Sequence, residues 1–309
     1  MHLWETYHTP NTVEDAISLL TSYAGGARII AGGTDLLIDL QYGEPTHRRQ
    51  PLGALIDVTR ISEMTRIEAR DGWLVVGAAV THTAVVQSAL LEQAATCLVE
   101  SCGVVGGPQV RNVGTLGGNV AHALPAGDGT TSLVALDAQA DVARGDGRRE
   151  WLPMTALFRG PGISAVDSKR DVLVAFRFKP RAEREGSAFK RIMRPQGVAL
   201  PILGCAVWVR LDDRHEYYED ARICMGPVGP VPVRATTVEQ ALIGQRVGEG
   251  TLARAVAVAY ETIEPRTSKY RATAEYRSYM VETLLRRALP LAVERARTGV
   301  AHAEGVGLG

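Results

Sequence analysis

The stretch Arg111-Asn112-Val113-Gly114-Thr115-Leu116-Gly117-Gly118-Asn119, continuing as Val120-Ala121-His122-Ala123-Leu124-Pro125-Ala126-Gly127-Asp128, decides how this chain is read. It carries four glycines, one proline, two asparagines and one aspartate in 18 residues. Glycine admits backbone angles and close approaches that a Cβ forbids. A second glycine run, Ala31-Gly32-Gly33-Thr34-Asp35, lies well upstream, after a short apolar segment. Two such loops suit one phosphate-bearing cofactor gripped from both sides. A chain that turns sharply after a strand points successive N–H groups the same way and binds phosphate without a basic side chain. Neither run contains Lys, and Arg111 is the one Arg in either. Taken alone, Gly-Gly-Thr-Asp reads equally as an ordinary turn.

The flanking sequence supplies strands and helices to hold these loops. Asn11 or Thr12 caps a helix in which Val13, Ala16, Ile17, Leu20 and Ala24 recur at helical spacing, and Gly25-Gly26 stops it. Ala27 to Ala31 is a short buried strand, and Leu36 to Leu40 a short helix after the first glycine run. Ala54 to Val58 is a further strand. Asp71-Gly72 marks a hairpin. Thr81 caps a long apolar helix over about 83–100. Asp128 to Asp137 is helical, and strands flank Gly145-Asp146-Gly147. A strand over 171–178 is closed by Pro180.

Charge thickens at Arg181-Ala182-Glu183-Arg184-Glu185-Gly186, which marks a domain boundary. Beyond it, three strands (187–193, 203–211, 221–225) precede three helices (238–242, 252–264, 273–296), the order of a separate α+β unit. The stripe Tyr279, Val281, Leu284, Leu285 and Leu289 on the last helix is expected in the core. The small-residue tail from Thr298 to Gly309 is expected to fray.

Bulk properties exclude several functions. The 309 residues are 46% hydrophobic and 22% charged, with a formal net charge of zero. No field of one sign argues for nucleic acid or an anionic membrane. No apolar run is long enough to span a bilayer, and the N-terminus lacks the pattern of a secretory signal, so a cytoplasmic protein is expected. Of the four cysteines, Cys97 and Cys102 have a spacing that could begin an iron–sulfur run, but 103–107 supply no further ligand. Cys205 and Cys224 are isolated. All four are expected in the core.

Three residues near the glycines are open to two readings each. Asn119 can bond backbone or ligand. Asp128 can accept from ribose hydroxyls or cap the helix that starts there. His122 either touches the cofactor or has no role.

The two runs Ala31-Gly32-Gly33-Thr34-Asp35-Leu36-Leu37 and Arg111 to Asn119 together resemble the medium, FAD-binding subunits of molybdenum hydroxylases, the family of xanthine and carbon monoxide dehydrogenases. The resemblance extends to Ala188-Phe189-Lys190-Arg191 and to Arg271-Ala272-Thr273-Ala274-Glu275-Tyr276-Arg277. It implies an α+β chain: a two-subdomain FAD-binding fold of the PCMH/VAO type, here about 1–56 and 57–180, then a C-terminal α+β domain of the CO dehydrogenase flavoprotein type over 181–297 and a flexible tail over 298–309.

Carried over by position, Gly32, Gly33, Thr34 and Asp35 would contact the diphosphate and ribose of FAD, flanked by Ile29, Ala31 and Leu36. Thr115, Gly118, Asn119, His122 and Asp128 would supply the second set. Leu173 matches an apolar position against the flavin ring. Lys190 matches a lysine near its pyrimidine side, or is a surface lysine. No histidine sits in the first loop, so FAD is expected to be non-covalent. No cysteine lies between Cys102 and Cys205, so no iron–sulfur cluster is expected on this chain. The run Arg194-Pro195-Gln196-Gly197-Val198-Ala199 lacks an acidic residue that relatives often carry.

The function implied is that of an electron-transfer subunit. Molybdenum cofactor would sit on a large partner and 2Fe–2S clusters on a small one, in a dimer of heterotrimers. Electrons would reach FAD here and leave to an external acceptor. A stand-alone FAD-dependent reductase like the UDP-N-acetylenolpyruvoylglucosamine reductases also pairs two Gly-rich loops and is the competing reading.

Overall fold

The structure is a computed structural model that describes residues 2–42, 51–194, 200–269, 271–305 and 307. Residues 195–199, which make up most of the Arg194–Ala199 run, lie outside the described residues. The chain opens with β1 (Trp4–His8), α1 (Val13–Ser22), β2 (Ala27–Ile30), α2 (Leu36–Tyr42) and β3 (Leu52–Asp57). These strands form a parallel sheet in the order β1-β3-β2. Thr12 caps α1, its Oγ1 accepting from Asp15 N at 3.0 Å. Val13, Ala16 and Leu20 turn one face of α1 into the core.

The next part begins with the expected hairpin, β4 (Ile67–Arg70) and β5 (Trp73–Gly77). Helices α3 (His82–Val86), α4 (Ala89–Ala94), α5 (Thr96–Gly103), α6 (Pro108–Val113), α7 (Leu116–Ala121) and α8 (Asp128–Ala135) follow. Then come β6 (Gln139–Ala143), β7 (Arg149–Pro153), the small pair β8 (Phe158–Gly160) and β9 (Ile163–Ser164), and β10 (Val172–Phe178). The sheet runs β4-β5-β10-β6-β7 and is antiparallel throughout. Val13 and Ala16 of α1 share one buried cluster with Leu74, Val174 and Phe176 of this sheet. The two parts therefore pack on a common core.

The C-terminal part is an antiparallel meander, β11 (Glu185–Met193), β12 (Pro201–Leu211), β13 (Tyr218–Gly226) and β14 (Val233–Arg234). Helices α9 (Thr236–Leu242), α10 (Glu249–Thr262) and α11 (Ala274–Thr298) cover one face. A Cβ on Gly186 would lie 2.1 Å from Ala292 O, so a bare residue lets α11 lie against β11. The other face of β11 meets α5. Glu100, 1% exposed, accepts from Phe189 N at 2.7 Å and pairs with Arg295 at 2.7 Å.

Four expectations need correction. The apolar run 83–100 is three helices. Ser88 restarts the chain, its Oγ accepting from Leu91 N, and Ala95 breaks it with non-helical angles, φ −154° and ψ 56°. The second glycine run is largely helical, divided between α6 and α7. Tyr279 is 57% exposed, although Val281, Leu284, Leu285 and Leu289 are buried as expected. The tail does not fray where it is described. Ala301 and Ala303 are buried, Ala303 N donates to Glu92 Oε1 at 3.0 Å, and Glu304 N donates to Glu100 Oε1 at 2.9 Å.

Candidate functional site

The first glycine run leaves the end of β2 and enters α2. Gly33 sits at φ +68°, in the left-handed region that glycine tolerates without strain. Gly32 is bare for another reason: a Cβ there would lie 2.1 Å from Val113 O and 2.6 Å from Val113 C. The first run is thus laid directly on the end of α6. The N–H groups of Gly32, Gly33, Thr34, Asp35 and Leu36 have no hydrogen-bond acceptor among the described residues. The first amide to find one is Leu37 N, which donates to Gly33 O at 3.0 Å. Every helix start leaves donors free, and here two further amides precede them, so the row is suited to receive an anion.

The second run is built differently. Thr115 caps α7 and its Oγ1 accepts from Gly118 N at 3.0 Å. Leu116 N donates to Val80 O at 2.9 Å, Gly117 N to Ala78 O at 2.8 Å and Asn119 N to Thr115 O at 3.0 Å. No amide nest remains there, contrary to the symmetric grip read from the sequence. The adjacent glycines have separate tasks. A Cβ on Gly117 would lie 2.5 Å from the Ala78 Cβ, so Gly117 serves packing. Gly118 is exposed, and its Cβ would meet nothing nearer than Thr115 Oγ1 at 3.1 Å. Its bare face is open to a ligand.

The two runs meet side by side. His122 ends α7 with Nε2 3.7 Å from Asp35 Oδ1. A Cβ on Gly114 would come within 3.7 Å of Thr34 Oγ1. Ile29 N donates to Ser168 O at 3.1 Å, fixing β2 to the segment before β10. Ala31 packs on the main core and Leu36 on a smaller cluster with Ile30, Leu40 and Leu55. Asn119 ties α7 to α8, its Oδ1 accepting from Thr130 N at 3.3 Å.

Three residues carried over by position have other partners. Asp128 does not cap α8, which starts from Gly127. Its Oδ2 instead accepts from Arg191 at 2.6 Å, with both side chains buried. Burial raises the Asp128 carboxyl to about 6, against the pull of the Arg191 charge and hydrogen bond. Leu173 is 7% exposed and sits in the core beside a bulge, where register shifts between Leu173 and Ala175. Lys190 shares a strand face with Gly186 and Ala188, toward α11, and its Nζ pairs with Glu304 at 2.7 Å. The residue that reaches Asp128 is Arg191, on the opposite face. Arg191 also donates to Val104 O and to Met193 Sδ. Strand alternation over Ala188-Phe189-Lys190-Arg191 is the signal that separates these neighbours.

A row of unpaired amides beside an exposed glycine can receive an anion, and the residues present fit a dinucleotide diphosphate. Comparison with known proteins carries this further. The family described as the FAD binding domain in molybdopterin dehydrogenase matches residues 3–178, and the CO dehydrogenase flavoprotein C-terminal domain matches 187–292. The xanthine dehydrogenase FAD-binding subunit of Escherichia coli is 31% identical over 294 residues, covering 94% of this chain and 97% of that one. The carbon monoxide dehydrogenase medium chain of Hydrogenophaga pseudoflava is 28% identical over 291 residues, covering 94% and 97%. Among solved structures, carbon monoxide dehydrogenase from the same organism superposes with a TM-score of 0.86 at 27% identity, covering 96% of this chain and 99% of that chain. Quinoline 2-oxidoreductase from Pseudomonas putida gives 0.83 at 26% identity, covering 94% and 97%. The chain belongs to the family of FAD-binding subunits of molybdopterin dehydrogenases, a family of oxidoreductases.

Proposed function

We propose that this chain is the FAD-binding electron-transfer subunit of a heteromeric molybdenum-containing hydroxylase or dehydrogenase. A small 2Fe–2S subunit and a large molybdopterin-binding subunit are its partners. Electrons arrive from the 2Fe–2S clusters and leave to an external acceptor. FAD, when bound, supplies the redox chemistry. The observation that carries this reading is the row of unpaired amides from Gly32 to Leu36.

Those five N–H groups hold the FAD diphosphate, and the α2 dipole adds favourable charge at the same end. Gly118 lets the ligand lie against α7, and His122 and Asp35 lie beside it. Thr115 and Asn119 act from behind, by fixing α7. Asp128, in the first turn of α8, is held by Arg191. The chain orients a cofactor, and substrate oxidation belongs to another polypeptide.

The experiment is purification from the native host with identification of co-purifying chains, together with flavin, iron–sulfur and molybdenum content. The reading expects FAD on this chain and metal centres on two companions. A lone yellow chain that reduces a substrate with a nicotinamide cofactor would replace it with a stand-alone reductase. A colourless chain that gains no flavin spectrum with added FAD would remove the cofactor assignment.

A further inference from the structure

A cavity of about 300 Å³ lies where the Leu124–Ala126 loop meets the C-terminal domain. Its polar wall is Arg266, Ser268, Arg271 and Arg277, and Pro125 and Leu200 are among its apolar residues. Arg277 is 1% exposed. Its NH1 donates to Pro227 O and to Arg266 O, each at 3.0 Å, and its Nε has no partner. The guanidinium groups of Arg266 and Arg271 have no hydrogen-bond or ion-pair partner among the described residues. Asp128 acts on Arg271 from a distance, but its carboxylate is already bonded to Arg191 at 2.6 Å.

Guanidinium groups lose hydration when they are gathered at a partly closed wall, and they repel one another. Burial and these neighbouring charges lower the proton affinity of both Arg271 and Arg277. An oxyanion relieves both costs at once, because guanidinium donors match phosphate oxygens in pairs. The apolar part of the wall offers contact to whatever the phosphate is attached to. The cradle at Gly32 to Leu36 shares no residue with this cavity.

We propose that this cavity is a second oxyanion site, separate from the FAD cradle, that takes the phosphate group of a small organic phosphomonoester. Arg271 and Arg266 grip the phosphate, and Arg277 forms the positive floor.

The test uses the purified complex saturated with FAD, at constant ionic strength. It is titrated with phenyl phosphate, inorganic phosphate, phenol and chloride, read by calorimetry and by thermal shift. Phenyl phosphate is expected to bind, inorganic phosphate to bind more weakly, and phenol and chloride to give no saturable signal. Arg271→Gln and Arg266→Gln are each expected to weaken phenyl phosphate by about tenfold or more, the loss of one charge-assisted contact. FAD content should stay unchanged in both. Absence of binding by either phosphate overturns the proposal, as does binding that both variants leave unaltered. Inorganic phosphate binding as tightly as phenyl phosphate removes the organic ligand. Competition between phenyl phosphate and FAD assigns the cavity to the FAD site and overturns its separateness. Loss of FAD with phosphate binding retained would count against the proposed function and leave this site standing.

Discussion

Gly32 and Val113 come from the two glycine runs and pack so closely that no side chain fits between them. A Cβ on Gly32 would lie 2.1 Å from Val113 O. The three nearest obstructing atoms, Val113 O, Val113 C and Gly114 Cα, are all backbone, so rotamer adjustment cannot relieve the contact. Gly32→Ala must move the first run away from α6 and spoil the spacing of the amide cradle. The expected cost is about 1–3 kcal/mol of stability, typical of overpacking, with reduced FAD retention. Urea unfolding and the flavin-to-protein absorbance ratio check both.

The neighbours Gly117 and Gly118 separate packing from ligand binding. Gly117→Val drives a side chain into Ala78, so poor folding is expected before any question of cofactor arises. A Cβ on Gly118 meets only Thr115 Oγ1 at 3.1 Å, and the residue is exposed, so a Gly118→Val chain should fold and keep its melting temperature within a few degrees. Its FAD content should collapse, because the new side chain projects where the ligand is to lie. A folded Gly118→Val variant with full flavin content would remove α7 from the site.

Much of this arrangement was legible because local signals carried it. Of the two candidates Asn11 and Thr12 it is Thr12 that caps α1, Thr81 caps α3 as read, and Asp71-Gly72 and Gly145-Asp146-Gly147 turn hairpins. What was not legible depended on distant partners. Every residue of α5 is buried, so the apolar run before it carries no periodic signal of the breaks at Ser88 and Ala95. Gly117 and Gly118 are the same letter, and only the position of Ala78 tells them apart. The tail looks featureless because Glu92, Glu100 and Lys190 hold it from far away in sequence. Lys190 and Arg191 are adjacent letters, but alternation along β11 sends the two to opposite faces, and only the position of Asp128 gives Arg191 its role.

Glu100 joins three segments, and its loss should be costly. It accepts from Phe189 N and Glu304 N and pairs with Arg295. Glu100→Ala leaves the buried Arg295 guanidinium without its carboxylate and the buried Phe189 N–H and part-buried Glu304 N–H without their acceptor. Removing one partner of such a pair costs about 3–5 kcal/mol. Glu100→Gln keeps an acceptor oxygen and should lose less. Denaturant midpoints of the two variants, with unchanged m-values, would verify the order; equal midpoints for wild type and Glu100→Ala would contradict it.

Asp128 should give the stability of this protein a pH dependence of unusual sign. Most native carboxylates lose protons more readily than unfolded ones and stabilise the fold as pH rises. Asp128 is raised from 3.8 to about 6 because burial outweighs the pull of Arg191. Between those values the folded chain holds a proton that the unfolded chain has released, so this group's contribution falls as pH rises from about 4 to 6. Above 6 both states are ionised and the contribution is flat. A shift of this size corresponds to roughly 3 kcal/mol across the window. Asp128→Asn cannot titrate, so the stability of the variant minus that of wild type should rise between pH 4 and 6 and then level off. That difference isolates the group from every other titration, because the remaining carboxylates are common to both chains. Urea unfolding of both proteins from pH 4 to 7.5 measures it, and a difference that falls with pH would mean that the Arg191 ion pair outweighs burial.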